Sequence, residues 1–168
     1  TGAMPFVRHG DLPRLRTDRL RLGIIGVGNR GAANLAAVGH EHVVALCDVD
    51  DRYLKNAATQ HQDATTFWDY REMLDADLDL DAVVVSTPDH THAPASMAAM
   101  QRGLHCYCEK PLTHSVEEAR AMAKLSKGLV TQMGTQIHAG DNYRRVVELM
   151  RTKPIGNVTE VHVWCGKD

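Results

Sequence analysis

The stretch that decides the fold is LRLGIIGVGNRG, Leu20 to Gly31. Its first half, Leu20 to Val27, is an apolar run of strand length. Its second half passes through three glycines, Gly26, Gly28 and Gly31, into the alanine-rich segment that continues to Gly39. A buried strand that turns at a glycine and enters a tightly packed helix is the opening of a βαβ unit. The glycines stand in G-x-G-x-x-G spacing, which is weak evidence alone. Its context strengthens it: a strand before, a helix after, and a second strand, HVVALCDV, that delivers Asp48 22 residues beyond Gly26.

Each residue type then has a task. Gly26 permits the tight turn, Gly28 lets the backbone approach a pyrophosphate, and Gly31 lets the helix pack on the sheet. The helix N-terminus offers free N–H groups and a partial positive charge to phosphates. The loop Gly26, Val27, Gly28, Asn29, Arg30 and Gly31 is therefore a candidate dinucleotide cradle. Asp48 is placed to accept hydrogen bonds from the adenine-ribose hydroxyls and to repel a 2′-phosphate. NAD is the expected cofactor and NADP the less favoured one, with Arg30 and Arg52 the cations that could assist a phosphate.

The same rhythm continues along the chain. DDRYLKNAATQH (50–61) predicts a helix capped by Asp50 or Asp51. A short strand or turn follows at Ala64 to Asp69, then a short helix. DAVVVSTP (81–88) predicts a fully buried strand, THAPASMAAMQRG a helix ended by Gly103, and LHCYCEK a fifth strand. SVEEARAMAKLSKG predicts a helix with a capping box between Ser115 and Glu118. LVTQMGT reads as a sixth strand, and GDNYRRVVELMRTK as a helix stopped by Pro154 and Gly156. Alternation of this kind predicts a doubly wound parallel α/β sheet of the Rossmann type. The last segment, NVTEVHVWCG (157–166), alternates strictly and predicts one half-exposed strand of a second α/β domain. The expected organisation is an N-terminal extension (1–19), a nucleotide-binding domain (20–140), and a linking helix with the first strand of a truncated substrate domain (141–168).

Composition narrows the function. The chain has 168 residues, 43% apolar and 24% charged, with a net charge of -2. These are the proportions of a globular domain, without the basic footprint of a nucleic-acid or membrane-surface binder. The one basic run, Arg14 to Arg21, reads as a solvated lead-in to the first strand. No apolar run reaches the roughly 20 residues of a membrane span. No signal peptide is legible, so a cytoplasmic location is the default expectation, with export left open because the opening TGAMPF does not establish a native N-terminus. Cys47, Cys106, Cys108 and Cys165 are too few for a disulfide scaffold and read as reduced thiols.

In an open α/β sheet the ligand crosses the carboxyl ends of the strands. Thr87 and Pro88 leave the fourth strand there, followed by His90 and His92. Two residues apart at a helix start, these histidines point in different directions, so a shared metal is not expected. A ribose or nicotinamide-side contact by His92 is expected instead, with a surface cap the alternative for His90. On the fifth strand Cys106 and Cys108 share one face and serve packing. Glu109, Lys110 and Pro111 end it. A lysine at that edge can donate a proton to, or orient, an alcohol being oxidised, and burial would tune it. After the sixth strand, Gln136 suits an amide such as nicotinamide and His138 a substrate, with a helix lead-in as the alternative for both.

Taken together, GVGNRG, Asp48 after VVALC, VVVSTPDHTHAPA, CYCEKPLTHS and TQMGTQIHAG resemble the Gfo/Idh/MocA oxidoreductases, over roughly residues 20 to 166. The resemblance implies a Rossmann domain followed by a larger domain with an open antiparallel sheet that supplies an Asp/His pair. It implies that Lys110 contacts substrate and cofactor, that Glu109 is its cofactor-side partner, that Thr87, Pro88 and His92 line the cofactor, and that Gln136 lies near the nicotinamide. Lys110 and His138 are the catalytic candidates. The implied activity is NAD-dependent oxidation of sugars, polyols or sugar derivatives, in a protein whose second-domain sheets associate into oligomers. The chain stops where that second domain begins, so this polypeptide by itself is expected to be inactive. Two other readings stay open: a glycoside hydrolase that oxidises its sugar transiently with tightly held NAD, and a non-enzymatic NAD-binding module.

Overall fold

The computed structural model describes residues 19–164 and Gly166, with the side chains of Gln136 and Ala139 outside that description. The expectations for the extension before Arg19, and for Cys165, fall outside the described residues. The described chain divides into two units, one ending at Gly134 and the other starting at Thr135.

The first unit is built on six parallel strands in the order β3-β2-β1-β4-β5-β6. The strands are β1 (Arg21–Ile25), β2 (His42–Cys47), β3 (Thr65–Phe67), β4 (Ala82–Val85), β5 (His105–Glu109) and β6 (Thr131–Gly134). They alternate with helices α1 (Arg30–Ala37), α2 (Asp51–Gln60), α3 (Tyr70–Asp75), α4 (His92–Gln101) and α5 (Val116–Leu125). Because strand order reverses between β1 and β4, the loops after these two strands part and leave a crevice at the carboxyl edge.

Both sheet faces are covered over the central strands. On one, Ile25, Val83, Val85, Cys106 and Cys108 pack with Ala93, Ala99, Met100 and Met122 of α4 and α5. On the other, Leu22, Ile24, Leu46 and Val84 pack with Leu35, Leu54 and Ala57 of α1 and α2. Two-sided burial explains why these strands read as continuous apolar runs. The helix ends follow local chemistry. Asp50 caps α2 by accepting from the Arg52 N–H, and Ser115 and Glu118 close the expected box on α5.

The second unit contains a 3-10 turn (Gln136–Ala139) and helix α6 (Asp141–Thr152). Here one expectation is corrected. Residues 157–164 form no strand, although their alternation predicts one. A strand is made by its ladder, and the second unit contains no other strand among the described residues for it to pair with.

Candidate functional site

The crevice between β1 and β4 is a cleft of about 640 Å³. Its lining includes Gly26, Gly28, Asn29, Arg30 and Asp48 on one side and Ser86, Thr87, Pro88 and His90 on the other. At Gly26 the backbone has φ +87°, and a Cβ would stand 2.7 Å from the Ser86 carbonyl carbon and oxygen. Only glycine fits there. At Gly31 a Cβ would collide with the Gly26 carbonyl oxygen. That is the close packing of helix start on turn that the spacing predicted. Gly28 has a second task that the spacing does not reveal: its Cα lies against the Tyr53 ring, 2.6 Å from where a Cβ would stand. Val27 is buried.

Asp48 stands just past β2. One carboxylate oxygen accepts from the Val27 N–H at 2.8 Å and the other from the Asp50 N–H at 2.9 Å. The group is thus fixed against the glycine turn, and each oxygen keeps acceptor capacity for a further donor. Beside it, Arg52 grips Asp50 through both carboxylate oxygens, at 3.1 and 2.6 Å. The hydrogen bond from Arg52 holds the Asp50 carboxyl down at about 2. Trp68, past β3, is exposed and donates its indole N–H to Asp51 at 2.7 Å. Val49 is exposed beside it in the same lining.

Behind the cleft lies a polar network. Glu109, only 4% exposed, receives Arg30 Nε at 3.0 Å, Asn34 Nδ2 at 3.0 Å and the Tyr107 hydroxyl at 3.2 Å, all on one oxygen. Asn34 also donates to the Ser86 hydroxyl at 2.8 Å. Burial pushes the Glu109 carboxyl up, yet the donors Asn34 and Arg30 outweigh it and hold the group below the usual glutamate range. Burial and the adjacent Glu109 raise the Tyr107 phenol. Glu109 is therefore a hub that joins the α1 turn to β5.

Lys110 follows on the exposed surface. The burial invoked to tune it is absent, because the strand ends at Glu109 and Lys110 stands beyond the packed layer. The Lys110–Pro111 peptide is cis. His92, the expected ribose or nicotinamide-side contact, starts α4. It is 1% exposed, with Nδ1 2.6 Å from the Pro111 carbonyl oxygen and Nε2 2.7 Å from that of Thr87. It stands among the buried residues of α4. His90 is exposed at the cleft.

His138 belongs to the second unit, where its ring stacks on Tyr143 with centroids 5.3 Å apart. Gln136 shares that turn, its side chain outside the described residues. Cys106 and Cys108 are buried on one face, and burial lifts the Cys47 and Cys108 thiols to about 12, so they pack as neutral thiols. Among the described residues no group of three or more His, Cys, Asp or Glu is placed to hold a metal, and no helix is long and apolar enough to cross a membrane.

Sequence reasoning missed Asn34, Tyr107 and Trp68. Two carried a signal. Asn34 is the one polar residue in the run AANLAA, and Tyr107 shares the face of Glu109 by the two-residue strand period.

Comparison with known proteins bears on the same residues. A Gfo/Idh/MocA family model, described as "Oxidoreductase family, NAD-binding Rossmann fold", matches residues 20–135. A glycosyl hydrolase family 109 protein of Shewanella sp. (strain W3-18-1) is 33% identical over 142 residues, covering 77% of this chain and 30% of that protein. The crystal structure of myo-inositol 2-dehydrogenase from Lactobacillus plantarum superposes with TM-score 0.77 at 29% identity, covering 84% of this chain and 43% of that one. Scyllo-inositol dehydrogenase from Lactobacillus casei, with bound cofactor NAD(H) and scyllo-inositol, gives 0.74 at 26% identity, covering 84% and 44%. The chain thus spans less than half the length of these relatives.

Proposed function

The chain belongs to the Gfo/Idh/MocA oxidoreductase family, and we propose that it is the dinucleotide-binding part of an enzyme that oxidises a polyol or sugar with NAD. The observation that carries this is Asp48, fixed by the Val27 and Asp50 N–H groups beside the glycine turn. The adenine ribose lies against Asp48, and the pyrophosphate on the α1 N-terminus and the N–H groups of the turn. The adenine ring rests by Val49 and Trp68. Preference for NAD follows from charge. Asp48 and Asp50 together repel a 2′-phosphate, while Arg52 is taken by Asp50 and Arg30 by Glu109. The bound cofactor supplies hydride acceptance at its nicotinamide. Thr87, Pro88 and Lys110 line the nicotinamide side. Lys110 orients the substrate hydroxyl as a cation.

Calorimetry of this chain with NAD and NADP tests the site. The wild type is expected to bind NAD more tightly. Asp48→Ala is expected to weaken NAD by about 10- to 100-fold, the worth of charge-assisted hydrogen bonds to two hydroxyls, and to narrow the gap to NADP. Equal affinities in the wild type would overturn the proposed preference.

The 33% identity to a family 109 glycosyl hydrolase supports a second reading, glycoside cleavage with retained NAD. In the full-length protein, NAD carried through purification and glycosidase turnover without added cofactor would favour it. NADH formation with inositols would favour oxidation.

A further inference from the structure

Gly28 and Tyr53 raise a conflict over one place in the cleft. The second glycine of such a turn lets a pyrophosphate come up to the backbone. In this structure that approach is filled. A Cβ on Gly28 would stand 2.6 Å from Tyr53 Cδ2 and 2.9 Å from its Cγ and Cε2. Non-bonded heavy atoms settle about 3.5 to 4.0 Å apart. A phosphate oxygen brought to that face of Gly28 would therefore overlap the ring. Both residues line the cleft.

The ring is free to leave. Tyr53 lies in the first turn of α2, whose buried residues are Leu54 and Ala57. Its own side chain is partly open to water, with the residue 38% exposed. Beside it is the Arg52 guanidinium, 6.0 Å from the ring centroid and itself held by Asp50. An aromatic side chain at such a surface turns about χ1 between staggered positions within nanoseconds.

We propose that Tyr53 selects which nucleotides this cleft takes: its ring covers Gly28 in the free protein, a dinucleotide enters only by turning it aside, and adenosine, which carries no phosphate, leaves it in place. The proposal rests on the NAD site proposed above. Gly28 then has two successive neighbours, the ring and the pyrophosphate. Asp48 stays available to ribose hydroxyls throughout, because its contacts are to the Val27 and Asp50 N–H groups. Apparent affinity for a dinucleotide is lowered in proportion to the fraction of molecules that leave Gly28 uncovered. A ring that covers it in about four-fifths of molecules lowers that affinity about fivefold.

The test titrates NAD and adenosine into this chain, Tyr53→Ala and Tyr53→Phe by calorimetry. Alongside, nuclear Overhauser contacts between the Tyr53 ring and the Gly28 α-protons are followed in the wild type. Those contacts are expected in the free chain, lost at saturating NAD and kept with adenosine. Tyr53→Ala is expected to bind NAD about fivefold more tightly, with adenosine affinity changed less than about twofold. Tyr53→Phe is expected to restore the weaker NAD binding, since the ring and not the hydroxyl covers Gly28. A ring that keeps its Gly28 contacts with NAD bound overturns the proposal whatever the variants do. Unchanged or weaker NAD binding by Tyr53→Ala overturns it too, and leaves the NAD reading standing because NAD still binds. NAD binding by Tyr53→Ala alone supports it. If none of the three proteins binds NAD, the NAD reading fails and the proposal fails with it.

Discussion

Gly26→Ala is expected to abolish dinucleotide binding and to destabilise the chain by about 3 to 4 kcal/mol, the sum of left-handed strain and backbone overpacking. The added Cβ has no room to yield. It would meet the Ser86 carbonyl carbon and oxygen at 2.7 Å and the Thr87 nitrogen at 2.9 Å, all backbone. The turn also holds the Gly26 N–H on the Cys47 carbonyl at 2.8 Å and the Val27 N–H on Asp48 at 2.8 Å. Moving it therefore displaces both the phosphate cradle and the ribose carboxylate. Gly103 supplies the control. Its φ is +81°, yet nothing lies within 4 Å of where a Cβ would stand. Gly103→Ala should cost only about 1 kcal/mol, the backbone preference alone. Urea denaturation of both variants, with NAD titration of each, separates strain from collision. Equal losses in the two would refute the close-approach argument.

The contrast between these two glycines also shows why the fold was legible. Gly26 sits where a buried apolar run changes to a helical pattern, so its neighbours announce the turn. The parallel sheet follows from runs such as VVALC and AVVVS, which make sense only when covered on both faces. Asp48 was legible because a spacing rule reaches it from Gly26. His92 was not, because a histidine at a helix start reads the same whether its ring faces a cleft or two carbonyls. Which loop Pro111 approaches is settled only by the crossing of α4 over β5. Lys110 was legible in place but not in exposure, since one residue beyond a strand end is enough to leave the packed layer. The strand expected at 157–166 shows, over its described residues 157–164, the limit of alternation: a period of two specifies a face and leaves the partner unspecified.

Glu109→Ala is expected to cost about 2 to 3 kcal/mol at neutral pH, less than a fully buried ion pair because Arg30 can turn to water. The side chains of the pair differ in exposure, 44% for Arg30 against 5% for Glu109. The larger part of the loss falls on Asn34, which is 6% exposed and keeps only Ser86 as an acceptor. The carboxyl also marks the pH response. Its folded value lies below the ordinary one, since Asn34 and Arg30 together outweigh burial. Its stabilisation is therefore complete above the unfolded glutamate range and is lost as pH falls through the folded value beneath it. In acid titrations followed by circular dichroism, the variant should lose less stability than the wild type over that interval. Because the network anchors the α1 turn, NAD affinity should fall together with stability at neutral pH. Arg30→Ala and the double variant complete the cycle, with a coupling of about 1 kcal/mol expected for groups sharing one oxygen. An acid limb identical to the wild type's would show that Glu109 is not the hub that joins the glycine turn to the strand of Lys110.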